Sequence, residues 1–252
     1  MKAILIGLFG LVSYTIGMGG LACFILYMGG FDFLPIHINS AEPGDLVTAL
    51  AINTGLIALF GIHHSIAARA SFKQALTRLI PESAERSSFV LVSGLILLTI
   101  CYYWQPIAGV IWEVESTLAA QILTAGYAVG WLIVIISSFL INHFELFGLQ
   151  QVYLNLRQKP TPKISFTEFG FYHFVRHPLQ LGILIGIWCT PLMTVTQLML
   201  AGLLTIYIFI GLYFEERDLV SALGTDYESY QRRVRKILPI PVFSKTDKPL
   251  KV

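Results

Sequence analysis

Two short charged runs stand out in an otherwise apolar chain. Arg176-His177-Pro178 precedes one long apolar stretch, and Glu215-Glu216 closes it. Proline is at home in the first turn of a helix, so Pro178 is expected to open one. Tyr172, Arg176 and His177 stand just before it, and Gln180 and Gly182 just after. A hairpin that starts at Pro178 and returns to the same membrane face brings the arginine and histidine to the two carboxylates. Two carboxylates at a helix C-terminus oppose the macrodipole, and ionisable groups at membrane depth lean toward function. The combination reads as a ligand site. His63-His64, near the end of an earlier apolar stretch, add candidate bases for moving a proton. Consecutive helix positions point about 100° apart, so one of the two faces such a site. His143 and Glu145 sit at a corresponding depth, whereas His37 is on the far side and His173 has no strong claim.

These residues need elements to hold them, and the composition says of what kind. The chain is 55% hydrophobic and 13% charged, with a mean hydropathy of +0.70, which marks an all-α integral membrane protein. Windows of about 20 apolar residues place spans at 3–28, 47–66, 88–104 and 119–141. The stretch 178–214 measures about 55 Å as helix, too long for one crossing, and breaks near Thr190-Pro191. The expectation is five to six transmembrane helices, the last two forming a hairpin. The apolar run after Lys2 is longer than a signal segment and is read as a retained first span.

Charge fixes the orientation. The segments 29–46 and 105–118 hold no lysine or arginine, so all 17 basic residues fall on one side. The positive-inside rule then puts both termini in the cytosol. Cytosolic interfacial helices are expected in 67–87, where Phe72, Leu76, Leu79 and Ile80 share a face. A second is expected in the tail, where Thr225-Asp226-Tyr227-Glu228 has a capping-box pattern. There Tyr227, Tyr230, Val234 and Ile237 form a stripe, with Arg232, Arg233, Arg235 and Lys236 directed to anionic lipid. A net charge of +2 gives no sign of a nucleic-acid partner. Cys23, Cys101 and Cys189 each lie alone in apolar surroundings and read as small buried hydrophobes, not metal ligands.

Arg176-His177-Pro178 with Gly182, followed by Glu215-Glu216, resembles the signature of the isoprenylcysteine carboxyl methyltransferase and phospholipid methyltransferase superfamily. The run from Phe60 through Gly61-Ile62-His63-His64-Ser65-Ile66-Ala67-Ala68 to Arg69 resembles the NnrU-like membrane family. Glu85-Arg86-Ser87, the run from His143 to Leu149 and the run from Phe214 to Leu219 resemble the methanethiol S-methyltransferases, bacterial enzymes that make dimethyl sulfide. The likeness extends from about residue 5 to 241. It implies one membrane methyltransferase domain over 1–252, with the part around 142–241 binding S-adenosylmethionine as methyl donor, in the bacterial inner membrane.

The resemblance also implies roles. Tyr172, Arg176, His177, Pro178, Gln180, Gly182, Glu215 and Glu216 become cofactor-binding residues. Arg176 suits the donor's carboxylate, a glutamate suits the ribose hydroxyls, and His177 and Tyr172 suit the adenine. His64 or His63 is the candidate base that frees the thiolate, the alternative being that the sulfonium field lowers the thiol pKa unaided. The sequence departs from the wider pattern at Gln180, where a tyrosine is common, and at His63, where thiol-methylating relatives suggest glutamine. Alternatives within the class are a prenylcysteine carboxylate or a phospholipid amine as acceptor. A different one is a haem-binding, carotene-isomerase-like member of the NnrU family, with His64 and His143 or His177 on iron. Haem ligation, however, gives no reason for the carboxylate pair. A transporter lacks an inverted repeat to support it.

Overall fold

A computed structural model describes residues 2–160 and 168–239. Lys163, Lys245, Lys248 and Lys251, counted above for orientation, lie outside the described residues. Five helices are long and apolar enough to cross a membrane: α1 (Lys2–Met28), α2 (Leu46–Ile66), α4 (Glu82–Tyr103), α5 (Thr117–Ile141) and α9 (Val195–Leu223). Between them stand α3 (Ala70–Leu76), α6 (His143–Leu146), α7 (Leu149–Leu156), a 3₁₀ turn at Gly170–His173 and the short α8 (Pro178–Trp188). The helix α10 (Thr225–Arg233) is the last element among the described residues. The chain is thus an all-α multi-pass membrane protein, apart from a small two-stranded patch.

Side chains at the helix starts show why they begin where they do. Asp45 accepts the Thr48 N–H at 2.8 Å to cap α2. At α9 the Thr194 and Gln197 side chains satisfy each other's backbone in a complete capping box. Strand β1 (Val110–Glu113) pairs antiparallel with β2 (Leu192–Thr194). This fastens the apex of the α8–α9 hairpin to the loop between α4 and α5, at the end of the bundle opposite the basic residues. At eleven residues, α8 reaches only about 16 Å. The first hairpin arm is therefore a half-length helix, and β2 carries the chain on to the apex.

Packing divides the bundle into two groups. The closest pairs are α1 with α4, and α5 with α8. Glycine makes the second possible: a Cβ on Gly182 would lie 2.6 Å from the Gly130 carbonyl oxygen, and one on Gly130 would lie 2.5 Å from Gly186 N. Small residues let backbones approach where lipid offers no hydrophobic drive. Toward the end opposite the basic residues the groups merge into one core, with Phe24, Leu56, Ile100, Trp131, Ile187 and Leu200 among its members. Ionisable side chains gather at the other end, where the packed core stops. Gly182→Ala is accordingly expected to wedge α8 from α5 and cost about 1–3 kcal/mol. Thermal unfolding in detergent checks this, and an unchanged midpoint would contradict the close contact.

The structure corrects several expectations. α4 starts at Glu82 rather than 88, taking Glu85 and Arg86 into the helix. α9 continues to Leu223, so Glu215 and Glu216 lie two turns before its end and the macrodipole objection to them does not apply. Hydropathy ends at Phe214 because charge begins there, but Glu215-Glu216-Arg217-Asp218 are compatible with helix and the hydrogen bonds run on. In the tail, Gly224 is the N-cap of α10 and no side chain caps it, so the capping box expected at Thr225 is not formed. The tail stripe does not face lipid either. Tyr227, Tyr230 and Val234 are buried with Leu219, Val220 and Leu223, and Ile237 packs on Ile208 and Leu212 of α9.

Candidate functional site

Glu216 is the hub of the basic end. It is 8% exposed, and a carboxylate so placed must be matched by donors. Its Oε1 accepts from Arg176 Nε at 2.7 Å, from Arg176 Nη2 at 2.6 Å and from His177 Nε2 at 3.2 Å. Its Oε2 lies 2.9 Å from Lys236 Nζ. Arg176 Nη1 in turn donates to the carbonyls of Gln231 and Val234. Backbone bonds complete the clamp: Arg176 N donates to Arg235 O at 2.8 Å, and His177 N to Lys236 O at 3.1 Å. One carboxylate on α9 therefore ties the start of α8 to the segment after α10.

The neighbouring carboxylate is differently placed. Glu215 makes no hydrogen bond among the described residues; the His177 Nδ1 lies 3.9 Å away, and the Glu215 side chain is 48% exposed. Tyr172 lies close by. Burial, and then the negative charge of Glu215 beside it, hold the Tyr172 phenol above its ordinary pKa. The Tyr172 carbonyl accepts from the Tyr230 hydroxyl, which fixes the 3₁₀ turn against α10. Gln180, in the first turn of α8, is half-buried and also leaves its amide without a hydrogen bond among the described residues.

A second polar group faces from α2 and α4. The His64 ring stacks on Phe60 with centroids 5.1 Å apart. It also meets Phe89 at 4.8 Å and the Tyr207 edge at 6.4 Å. Its Nδ1 is buried and has no hydrogen-bond partner among the described residues. Arg86 lies over the other side of this cluster, its guanidinium 4.7 Å from the Phe89 centroid, held by Nε donating to Leu146 O at 2.7 Å. Tyr207 of α9 links the two groups, lying within electrostatic reach of Glu215. His63 turns elsewhere: it stacks on Phe89 at 5.4 Å, with Nε2 3.4 Å from the Phe89 carbonyl.

The sequence-predicted residues thus divide. Tyr172, Arg176, His177, Glu215 and Glu216 come together; His64 lies across Tyr207 from them. Pro178 and Gly182 are buried in helix start and helix packing, respectively. His143 is a packing residue. Its Nε2 is 2.8 Å from the Tyr14 hydroxyl and its Nδ1 2.9 Å from Ser138 Oγ. The ring is stacked on Phe139 at 4.3 Å, and burial keeps its pKa below the usual histidine value. With both nitrogens taken, His143 offers no lone pair to iron, and His177 faces two carboxylates, so the histidine pair of a haem site is missing. Lys236 and Tyr207 were not singled out from sequence as part of this constellation. Lys236 read as one of several lipid-facing cations, and no local signal separated it from Arg235.

These features define a class: a multi-pass membrane protein whose ionisable residues converge at one end of the bundle. A cavity of about 290 Å³, lined by Gly30, Phe31, Tyr127 and Thr190 among others, lies across the bundle from them. Among curated proteins the chain is 44% identical to the methanethiol S-methyltransferase of Crocosphaera subtropica, over 82% of this chain and 81% of that protein. It is 39% identical to the methanethiol S-methyltransferase of Mycobacterium tuberculosis, over 96% of this chain and 98% of that one. A more distant likeness, 27% over 69% of each chain, is to nurim of Sus scrofa. No family model matches, and no solved structure does. The chain belongs to the methanethiol S-methyltransferase family and is a methyltransferase enzyme.

Proposed function

We propose that this protein transfers a methyl group from S-adenosylmethionine to methanethiol, giving dimethyl sulfide, at the basic end of the bundle. The observation that carries the reading is the likeness, along nearly the whole chain, to relatives named for that reaction. The positive-inside pattern supports a bacterial inner-membrane orientation with both termini and this end in the cytosol.

The residues fit such a donor. Among the described residues, Glu215 holds a carboxylate without a hydrogen bond, His64 a buried nitrogen without a partner, and Gln180 an amide without a hydrogen bond. S-adenosylmethionine, when bound, supplies a methyl group on a sulfonium. Glu215 is the acceptor for the ribose hydroxyls, and Tyr172, His177 and Gln180 line the adenine side. Arg176 and Glu216 hold the walls of this pocket in place, because their mutual ion pair leaves the guanidinium little capacity for a ligand. Pro178 and Gly182 set the start and depth of α8. His64 accepts the thiol proton at Nδ1, since the thiolate is the reactive nucleophile. His63 carries at most an orienting role on Phe89. Phe60, Phe89 and Tyr207 exclude water from the proton's path.

The test uses the purified full chain in detergent, incubated with methyl-labelled S-adenosylmethionine and methanethiol. Labelled dimethyl sulfide in the headspace is expected. Label appearing only on a prenylated cysteine peptide or on phospholipid would assign another acceptor. A Soret band without methyl transfer would overturn the reading.

A further inference from the structure

Arg86 stands at the basic end with chemistry that the site just described does not use. Its backbone is fixed in the first two turns of α4, and its Nε is fixed on Leu146 O. Its guanidinium carbon lies over Phe89, 4.7 Å from the ring centroid, and the same ring meets His64. The two terminal nitrogens make no hydrogen bond or ion pair among the described residues. Glu85 and then Glu145 lie within electrostatic range, and neither forms an ion pair with it among the described residues. A guanidinium anchored through Nε and Phe89 presents its Nη edge as a preformed fork, the geometry that suits a carboxylate.

The other arginine expected to bind a carboxylate is already committed. Arg176 is 9% exposed at its side chain and bonded to Glu216. The order of groups across the bundle also matters. Successive neighbours lead from Tyr172 and His177 to Glu215, from Glu215 to Tyr207 and His64, and from His64 through Phe89 to Arg86. The methyl donor carries adenine, ribose, sulfonium and amino-acid carboxylate in the same order.

We propose that Arg86 binds the carboxylate at the amino-acid end of the methyl donor, which sets the sulfonium beside His64. The proposal rests on the methyl-transfer reading above. It makes Arg86 a donor-binding residue, with Arg176 framing the pocket.

Two ligands separate the possibilities: S-adenosylhomocysteine, which has the carboxylate, and 5′-methylthioadenosine, which lacks the amino-acid end. Their affinities are measured by calorimetry on the full chain in detergent, for wild type, Arg86→Met and Arg86→Lys. Arg86→Met is expected to weaken S-adenosylhomocysteine by about 10- to 100-fold, as loss of a charge-assisted pair does. Methylthioadenosine affinity should stay within about twofold, and Arg86→Lys should lie between wild type and Arg86→Met. Equal weakening of both ligands would make Arg86 merely structural and overturn the proposal. Unchanged S-adenosylhomocysteine affinity with slower turnover would place Arg86 at the thiol and overturn it too. If wild type binds neither ligand, the methyl-transfer reading itself falls, and this assignment with it.

Discussion

Glu216→Ala is expected to lower the stability of the protein by about 3–5 kcal/mol, the usual cost of removing one partner of a buried ion pair. The reason is that four donor atoms converge on this carboxylate from three places: Arg176, His177 and Lys236. Alanine leaves the Arg176 guanidinium, 9% exposed at its side chain, without a counter-charge. The segment after α10 then loses its main polar tie to α9. Glu215→Ala, one residue away, should behave oppositely. It removes no hydrogen bond among the described residues, so stability should stay within about 0.5 kcal/mol, while affinity for S-adenosylhomocysteine falls. Melting midpoints in detergent and calorimetric titration of both variants give the comparison. A Glu216→Ala protein that melts with wild type would show that the network does not hold the tail, and the division of labour between the two glutamates would be withdrawn.

That division also shows where sequence reading stops. The Arg176-His177 and Glu215-Glu216 runs are legible as a pair because a long apolar stretch joins them and charge forbids a single crossing. The spans are legible because about 20 apolar residues have few alternatives in a bilayer. Which glutamate faces the protein and which faces open space is not legible. It depends on the rotation of α9 and on its running to Leu223, and hydropathy reports neither. Lys236 was hidden for a related reason. A basic tail reads the same whether its cations meet lipid or one buried carboxylate, and the difference is a tertiary contact formed by the bridge between Val175 and Arg235. The pairing of Gly182 with Gly130 is likewise a register between two helices, which single-chain periodicity does not contain. Arg86 was visible only as part of a quoted motif. Its location just before the apolar run of α4 looks like an ordinary span flank until the Leu146 carbonyl and Phe89 ring are seen around it.

His64→Phe is expected to slow methyl transfer by about 10²–10⁴-fold, the range for loss of a general base, with affinity for S-adenosylhomocysteine changed by less than about threefold. Phenylalanine is chosen because the ring sits among Phe60, Phe89 and Tyr207, where alanine would open a cavity and confuse chemistry with packing. A packing role predicts that an apolar ring serves as well as imidazole there. A proton-accepting role predicts that it does not, because the only feature lost is the nitrogen edge that includes the partnerless Nδ1. A buried polar atom left unpaired costs free energy, and a thiol S–H donated to Nδ1 would relieve that cost. His63→Phe is the matching control: its ring stacks on Phe89 and its Nε2 already lies near a backbone carbonyl, so turnover should fall by no more than a few-fold. Single-turnover rates with labelled donor and saturating methanethiol separate the chemical step from binding. Equal rates for wild type and His64→Phe would remove His64 from the proton transfer and leave the donor's own positive charge as the agent that acidifies the thiol.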